Sequence, residues 1–311
     1  MRRLVLSSCC LFVAGAAFGQ AKKETTTTTT KESTTVTTTT KKVATESGWD
    51  LTTELWNITD ATPVPHGQID LRFTVRWIPE PPDSSEQDDF IFQPSIVWGV
   101  FENVETSINV PIWFGDGEDR GNDQDGNYDT NWGALWRFYQ GEGYWPAMAL
   151  ASTVRIPTGE GSDKLDAELR LALTNEYDSG LRSHVNGWLK TVNGTNNDTS
   201  PFIRNSRIDD TFDDRGPNDT SGYTRDFQWG VGVGLDGAMP RMENVRWVLD
   251  CIYRSSETNG ENDIVEAEGG FEWQVADNQK VGLSAKANLD HGNNDIAPYA
   301  ASFTYAISLK K

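Results

Sequence analysis

The chain has 311 residues, a formal net charge of −19 and a mean hydropathy of −0.54. It has no apolar run that approaches the roughly 18–20 residues that a transmembrane helix needs, which excludes a helical membrane protein. An acidic chain without a basic cluster also argues against a nucleic-acid partner, because phosphates are bound by lysine and arginine. Two classes remain: a soluble acidic protein, or a transmembrane β-barrel, whose strands are only half apolar.

The first residues, MRRLVLSSCCLFVAGAAFGQ, have the layout of a signal peptide. Two arginines precede an apolar run, and the small residues Ala17 and Gly19 stand where a signal peptidase requires them. We predict a signal peptide over residues 1–19, cleaved before Gln20. Two alternatives are a buried first helix and a lipoprotein cleavage box ending at Cys9.

Residues 20–47 are rich in threonine and lysine, and they contain too little apolar surface to form a core. We expect a disordered segment that serves as a flexible periplasmic tether, with glycosylation or cell-wall contact as open alternatives. Residues 48–66 form a lead-in to the first strand, and residues 67–311 form the folded domain.

The stretch QIDLRFTVRW, residues 68–77, alternates strictly between polar and apolar side chains. Strict alternation is typical of a strand with one apolar and one polar face. Runs of this kind, each about ten residues long, recur along the chain and match the length of a tilted strand that crosses a bilayer. They lie near residues 68–78, 90–100, 104–114, 131–140, 146–156, 165–175, 182–192, 225–236, 245–255, 264–275, 280–290 and 299–309. About twelve strands are therefore predicted, an even number as in bacterial barrels.

The connections between these runs alternate between long and short. EPPDSSEQDD and residues 193–224 are long, whereas FENVE and ADNQ are tight turns. Outer-membrane barrels place long loops outside the cell and short turns in the periplasm, so we expect residues 115–130 and 193–224 to face the exterior. Tryptophans near strand ends, such as Trp77, Trp132 and Trp273, fit interfacial girdles, whereas Trp188 lies deeper in its strand.

The fold class that these patterns predict is all-β: a single up-and-down antiparallel transmembrane barrel of about 12 strands. Twelve strands enclose more volume than inward apolar side chains could fill, so the polar face is expected to line the lumen. A β-sandwich outside the cytoplasm is the alternative. The predicted lumen-lining residues are Arg72, Arg76, Glu168, Arg170, His184, Lys190, Arg246, Asp250, Arg254, Glu266, Glu268, Lys286 and Asp290.

Several motifs resemble a known family of outer-membrane β-barrels, the one described as MetA-pathway of phenol degradation. They are FQPSIVWGVFENVETSINVPI, WPAMALASTVRIPTGEGSD, DFQWGVGVGLDG and the final ANLDHGNNDIAPYAASFTYAISL. The resemblance covers about residues 66–309. It implies a barrel that passes small, often aromatic or hydrophobic, organic compounds. The chain departs from common barrels by ending in Leu309-Lys310-Lys311 rather than in an aromatic residue.

One loop offers a weak Ca²⁺ site. NDQDGNYD presents Asp123, Asp125, Asn127 and Asp129 around a glycine, and alternate oxygen ligands of this kind suit Ca²⁺. The full twelve-residue calcium loop is absent, so a solvated acidic loop is the favoured interpretation. His184 has no activated serine motif or second histidine at metal spacing, so neither an enzyme nor a cofactor is expected.

Two functions of different class remain. The first is a passive pore or transporter for small organic solutes in the outer membrane, with wall charges setting preference. The second is a structural or adhesive barrel with a plugged lumen that binds through its extracellular loops. In either case the expected partners are the outer-membrane bilayer and the barrel-assembly machinery.

Overall fold

A computed structural model of the protein describes residues 58–79, 88–114, 126–127, 129–158, 165–191, 227–255, 263–289 and 299–309. The predicted signal peptide, the threonine-rich segment and the long loop at 193–224 lie outside the described residues, as does most of the loop at 115–130. Among the described residues, no helix is both long and apolar enough to cross a membrane.

The described residues form fourteen antiparallel strands. They are β1 (Ile69–Ile78), β2 (Asp89–Phe101), β3 (Val104–Asn109), β4 (Ile112–Phe114), β5 (Gly126–Asn127), β6 (Thr130–Tyr139), β7 (Ala147–Ile156), β8 (Asp166–Glu176), β9 (Arg182–Thr191), β10 (Phe227–Met239), β11 (Met242–Arg254), β12 (Ile264–Ala276), β13 (Gln279–Asn288) and β14 (Tyr299–Leu309).

The sheet closes into a barrel of twelve strands, which confirms the predicted fold class. Each strand pairs with its neighbours in sequence, and β1 pairs with both β2 and β14. Two barrel strands are interrupted. β3 and β4 together form one, because both pair with β2. β5 and β6 form the next, because β5 pairs with β4 and β6 pairs with β3. By pairing with both β2 and β14, β1 joins the two ends of the described sheet, as a barrel in lipid requires.

Proline explains the first interruption. β3 ends at Asn109 and β4 begins at Ile112, and the residue between Val110 and Ile112 is Pro111, which has no backbone N–H to donate to the ladder. The Val110 N–H still donates to the Pro94 carbonyl of β2 at 3.2 Å, so the strand continues past the break.

The strands turn their apolar faces outward. In β1 the polar residues Asp70 and Arg72 are 0 and 1% exposed, whereas Phe73 and Val75 are 37 and 38% exposed. A soluble barrel would show the opposite pattern, because its apolar side chains would pack inside. The exposed apolar surface extends around the barrel. It includes Ile96, Trp98, Trp132, Trp136, Leu169, Trp229, Leu249, Phe271, Trp273, Leu283 and Phe303. An exterior of this extent is the surface that lipid covers.

Prediction one tests the lipid-facing side. Leu249 lies near the middle of β11, 49% exposed, and Met242 lies at the turn end of the same strand, 52% exposed. Leu249→Arg should lower the unfolding free energy by about 2–4 kcal/mol, because a charge at mid-bilayer is costly, whereas Met242→Arg should cost about 0–1 kcal/mol near the interface. Urea titration in lipid vesicles, followed by heat-modifiable gel mobility, measures both. Equal costs for the two substitutions would contradict the outward assignment.

Candidate functional site: the barrel lumen

The inward face of the barrel is polar and charged. The predicted lumen-lining residues that the structure describes all lie on this face and are at most 8% exposed. They are Arg72, Arg76, Glu168, Arg170, His184, Lys190, Arg246, Asp250, Arg254, Glu266, Glu268 and Lys286. Asp290 lies outside the described residues.

Further charged residues face inward that were not among the predicted lumen-lining residues. They are Asp70, Glu105, Asp129, Arg155, Asp166, Arg182, Asp236, Glu272 and Lys280. Most of them continue the alternation of strands already recognised, so the same two-residue period would have found them. Arg182 and Asp236 stand near the ends of their strands, where the alternation gives the weakest signal.

Opposite charges meet across neighbouring strands. Lys286 Nζ lies 3.0 Å from Glu266 Oε2, which joins β13 to β12, and the Ser284 hydroxyl donates to Glu268 Oε1 at 2.5 Å. On β8, Arg170 Nε donates to Glu168 Oε1 at 2.9 Å. Pairing of this kind offsets the cost of placing charges away from bulk water.

Residues 58–68, here called the luminal segment, run inside the barrel. These residues include the end of the lead-in predicted at residues 48–66, for which the sequence indicates no role. The segment meets β1 through a turn at Gly67, whose φ is 81°. The Gly67 N–H donates to the Gly99 carbonyl of β2 at 2.8 Å. A positive φ is readily adopted by glycine, which allows this reversal.

The wall supplies hydrogen bonds to the backbone of the luminal segment. Val64 N–H donates to Glu105 Oε2 at 2.6 Å, and Ala61 N–H donates to Thr174 Oγ1 at 2.9 Å. Farther along, Thr59 N–H donates to Asn186 Oδ1 at 2.6 Å, and Asn186 Nδ2 donates to the Thr59 carbonyl at 2.9 Å. Apart from one parallel bridge between His66 and Gly99, the segment has no strand pairing, and these side chains bind backbone groups that a ladder would otherwise pair.

One acidic residue of the luminal segment joins a network of inward charges. Asp60 Oδ2 lies 2.5 Å from Arg182 of β9, and Arg182 also lies 3.0 Å from Asp236 of β10. Arg246 Nε of β11 is 2.6 Å from the other carboxylate oxygen of Asp236. The network ties the luminal segment to three consecutive strands.

His184 belongs to the same network. Its Nε2 lies 2.8 Å from Asp236 Oδ2, and its Nδ1 lies 3.0 Å from the Thr174 hydroxyl that receives the Ala61 N–H. Both ring nitrogens are engaged in holding this part of the lumen together.

Several positions of the wall beneath the luminal segment carry small residues. A Cβ on Gly99 would lie 2.1 Å from the Pro65 carbonyl oxygen, and one on Gly232 would lie 2.4 Å from Ile58 Cδ1. Ala61, 0% exposed, packs in one cluster with Leu135, Ala149 and Ala172 of β6, β7 and β8. Larger inward side chains at these positions would occupy the space that the segment fills.

The first residue of the luminal segment, Ile58, packs against Trp188. Ile58 forms a small apolar cluster with Trp188 of β9 and Ile252 of β11, and the Arg170 guanidinium lies 4.6 Å from the centre of the Trp188 ring. Trp188 therefore faces the lumen at 4% exposure rather than the membrane interface. Gly230 leaves room for it, because a Cβ there would lie 2.2 Å from the indole.

The loop with the calcium pattern is described only at its end. Asp123 and Asp125 lie outside the described residues, and nothing is described of the Asn127 side chain. Asp129 Oδ1 accepts the Thr158 N–H at 3.0 Å, and its Oδ2 lies 3.4 Å from Arg155 Nε. In the part of the chain that the structure describes, no cluster of three or more potential metal ligands occurs. The Ca²⁺ site stays a prediction.

The geometry matches that of solved outer-membrane barrels. An outer membrane channel labelled COG4313, from Pseudomonas putida F1, superposes with a TM-score of 0.57 at 10% identity, over 80% of this chain and 98% of that one. The NanC porin superposes with a TM-score of 0.50 at 8% identity, over 78% of this chain and 100% of that one. At such identities the likeness shows the fold alone.

The fold and the apolar exterior define the protein as a β-barrel of the outer-membrane type. No family model matches the chain, and no curated protein sequence matches it. The resemblance to the MetA-pathway family therefore stays a prediction.

Prediction two tests the fit between the wall and the luminal segment. Gly99→Ala should displace the base of the segment, because the clashing atom belongs to the Pro65 backbone and cannot rotate away. In a Cys251→Ser background, a cysteine at Ala61 should then react faster with a water-soluble maleimide in detergent micelles.

Gly269→Ala is the control, since a Cβ there would lie no closer than 3.5 Å to any neighbour. It should leave the labelling rate unchanged. Slow labelling in the Gly99→Ala protein, with the barrel folded, would contradict the placement of the segment.

Proposed function

We propose that the protein is a passive outer-membrane channel for small organic solutes, exported by means of residues 1–19 and inserted by the barrel-assembly machinery. The observation that carries the proposal is the charged inward wall of a closed barrel whose exterior is apolar. A polar wall inside a lipid-facing barrel is the arrangement through which water-soluble molecules cross a membrane.

The wall formed by β12, β13, β14 and β1 is the proposed route. Here we call it the charged wall, and it carries Glu266, Glu268, Lys286 and Arg76 on neighbouring strands. A small cavity of about 10 Å³, room for about one water molecule, lies among Arg76, Glu266, Lys286 and Tyr299 near the ends of these strands. The luminal segment instead follows the wall from β2 to β11.

The presence of both acidic and basic side chains in this wall determines which solutes we propose that the channel prefers. A transverse field between acidic and basic side chains does not favour simple ions of one sign, but it attracts solutes with separated or polarisable charge. We therefore propose small polar or amphipathic organic molecules as the solute class. Aromatic or hydrophobic compounds, which the family resemblance implies, are included in the experiment.

A second candidate is a structural or adhesive barrel that binds through its extracellular loops. The observation in its favour is the luminal segment itself, which occupies part of the lumen and is bonded to the wall. The two candidates differ in whether any solute passes.

Liposome swelling separates the two candidates. Vesicles containing the folded protein should swell with a neutral sugar, a zwitterionic amino acid and an aromatic carboxylate, each faster than vesicles without protein. Permeation by none of them, with the barrel shown to be folded by heat-modifiable gel mobility, would contradict the channel and leave the structural role.

Prediction three tests the route. Glu268→Gln removes one carboxylate from the charged wall, so the channel should become less cation-selective or more anion-selective. The reversal potential across a planar bilayer with a KCl gradient measures the change.

Glu102→Gln removes the same charge from the exposed turn between β2 and β3 and serves as the matched control. Its reversal potential should equal that of the unmodified protein. Equal shifts in the two variants would show that solutes do not pass along the charged wall.

A further inference from the structure

We propose that residues 58–66 form an autoinhibitory gate, which narrows the lumen when docked and widens the path when it leaves the wall. The proposal rests on the channel function proposed above and names how that channel is regulated. Its first support is position: from Pro65 beside Gly99 to Ile58 beside Gly232, the segment passes along the inner wall from β2 to β11.

The barrel does not need the segment in order to close. The hydrogen-bonded ladder runs from β1 through every strand to β14 and back to β1, and β1 begins at Ile69, after the segment. Departure of residues 58–66 therefore breaks no pairing between these strands, only the isolated parallel bridge between His66 and Gly99. The covalent link is the turn at Gly67, whose positive φ marks a residue with conformational freedom.

The attachment is polar and modest. It includes hydrogen bonds between the backbone of the segment and Glu105, Thr174 and Asn186, one from Arg170 to the Thr59 hydroxyl, and the ion pair between Asp60 and Arg182. The buried apolar side chains of the segment include Ile58, Ala61 and Val64. Water can replace each of these hydrogen bonds when the segment leaves, so the net stabilisation by each is small.

Part of the wall beneath the segment carries only small side chains, between larger inward ones such as Asn186 and Trp188. Its inward positions there include Gly99, Ala149, Ala172, Gly232 and Gly234, which carry at most a methyl group. Elsewhere the inward positions carry long charged side chains, such as Arg72 and Lys286. At these small-residue positions the segment, rather than the wall, fills the lumen, so its removal would widen the path there.

A disulfide can lock the segment in place. An ideal Cβ on Gly234 lies 3.6 Å from the Ile58 Cβ, within the range that disulfides span. The test protein therefore carries Ile58→Cys and Gly234→Cys in a Cys251→Ser background, which removes the only cysteine among the described residues. The two single-cysteine proteins are the matched controls.

The gate predicts a reversible change in single-channel conductance in planar bilayers. The oxidised double-cysteine protein should show the lowest conductance, and reduction should restore the value of the single-cysteine controls. A chain lacking residues 58–65 should conduct several-fold more than the intact chain, with heat-modifiable mobility showing that its barrel is folded.

The outcomes separate the gate from the channel. If the intact, oxidised and shortened proteins conduct equally, the gate is wrong and the channel stands. If the folded, shortened protein conducts nothing, the channel function is wrong, and the gate falls with it.

Discussion

The structure depends on one constraint: in lipid, every backbone N–H and C=O must find a partner within the protein. Strands can meet it only when the sheet closes on itself, as β1 does by pairing with both β2 and β14. Closure in turn fixes the side chains, because alternate residues of a strand point to opposite faces. An apolar exterior and a polar interior follow from one two-residue period in the sequence.

The interior solves a second problem, since charges removed from bulk water need partners. Pairs such as Lys286 with Glu266 meet this need between adjacent strands of the wall. On the other side of the lumen, the luminal segment brings its own polar groups and is received by Glu105, Asn186 and Arg182. The lumen thus has two unlike sides: both carry charged side chains, but only one also has small residues covered by a segment of the same chain.

Most of the barrel could be predicted from the sequence. Strict alternation in runs such as residues 68–77 predicted the strands, their number and their facing, because lipid on one side and polar groups on the other impose the same period on every strand. Finer breaks were missed: Pro111 interrupts a predicted strand at 104–114, and only the loss of a donor explains the division into β3 and β4.

The luminal segment was beyond the sequence analysis for a physical reason. Residues 58–68 have no periodicity, because each residue contacts a different part of the wall instead of pairing along a ladder. The available signal lay in the wall: Gly230, Gly232 and Gly234 occupy the inward face of β10, and glycine inside a strand marks a close approach. Trp188 gave a related hint, since it lies too deep in β9 for an interfacial girdle.

Electron paramagnetic resonance on the first strand tests the central claim most directly. Spin labels placed one at a time at positions 69–78, in a Cys251→Ser protein in lipid vesicles, report their contact with oxygen, which dissolves in lipid. The account predicts high oxygen accessibility at Leu71, Phe73 and Val75 and low accessibility at Arg72 and Thr74, with a period of two residues. High accessibility at the even-numbered positions, or no period at all, would contradict it.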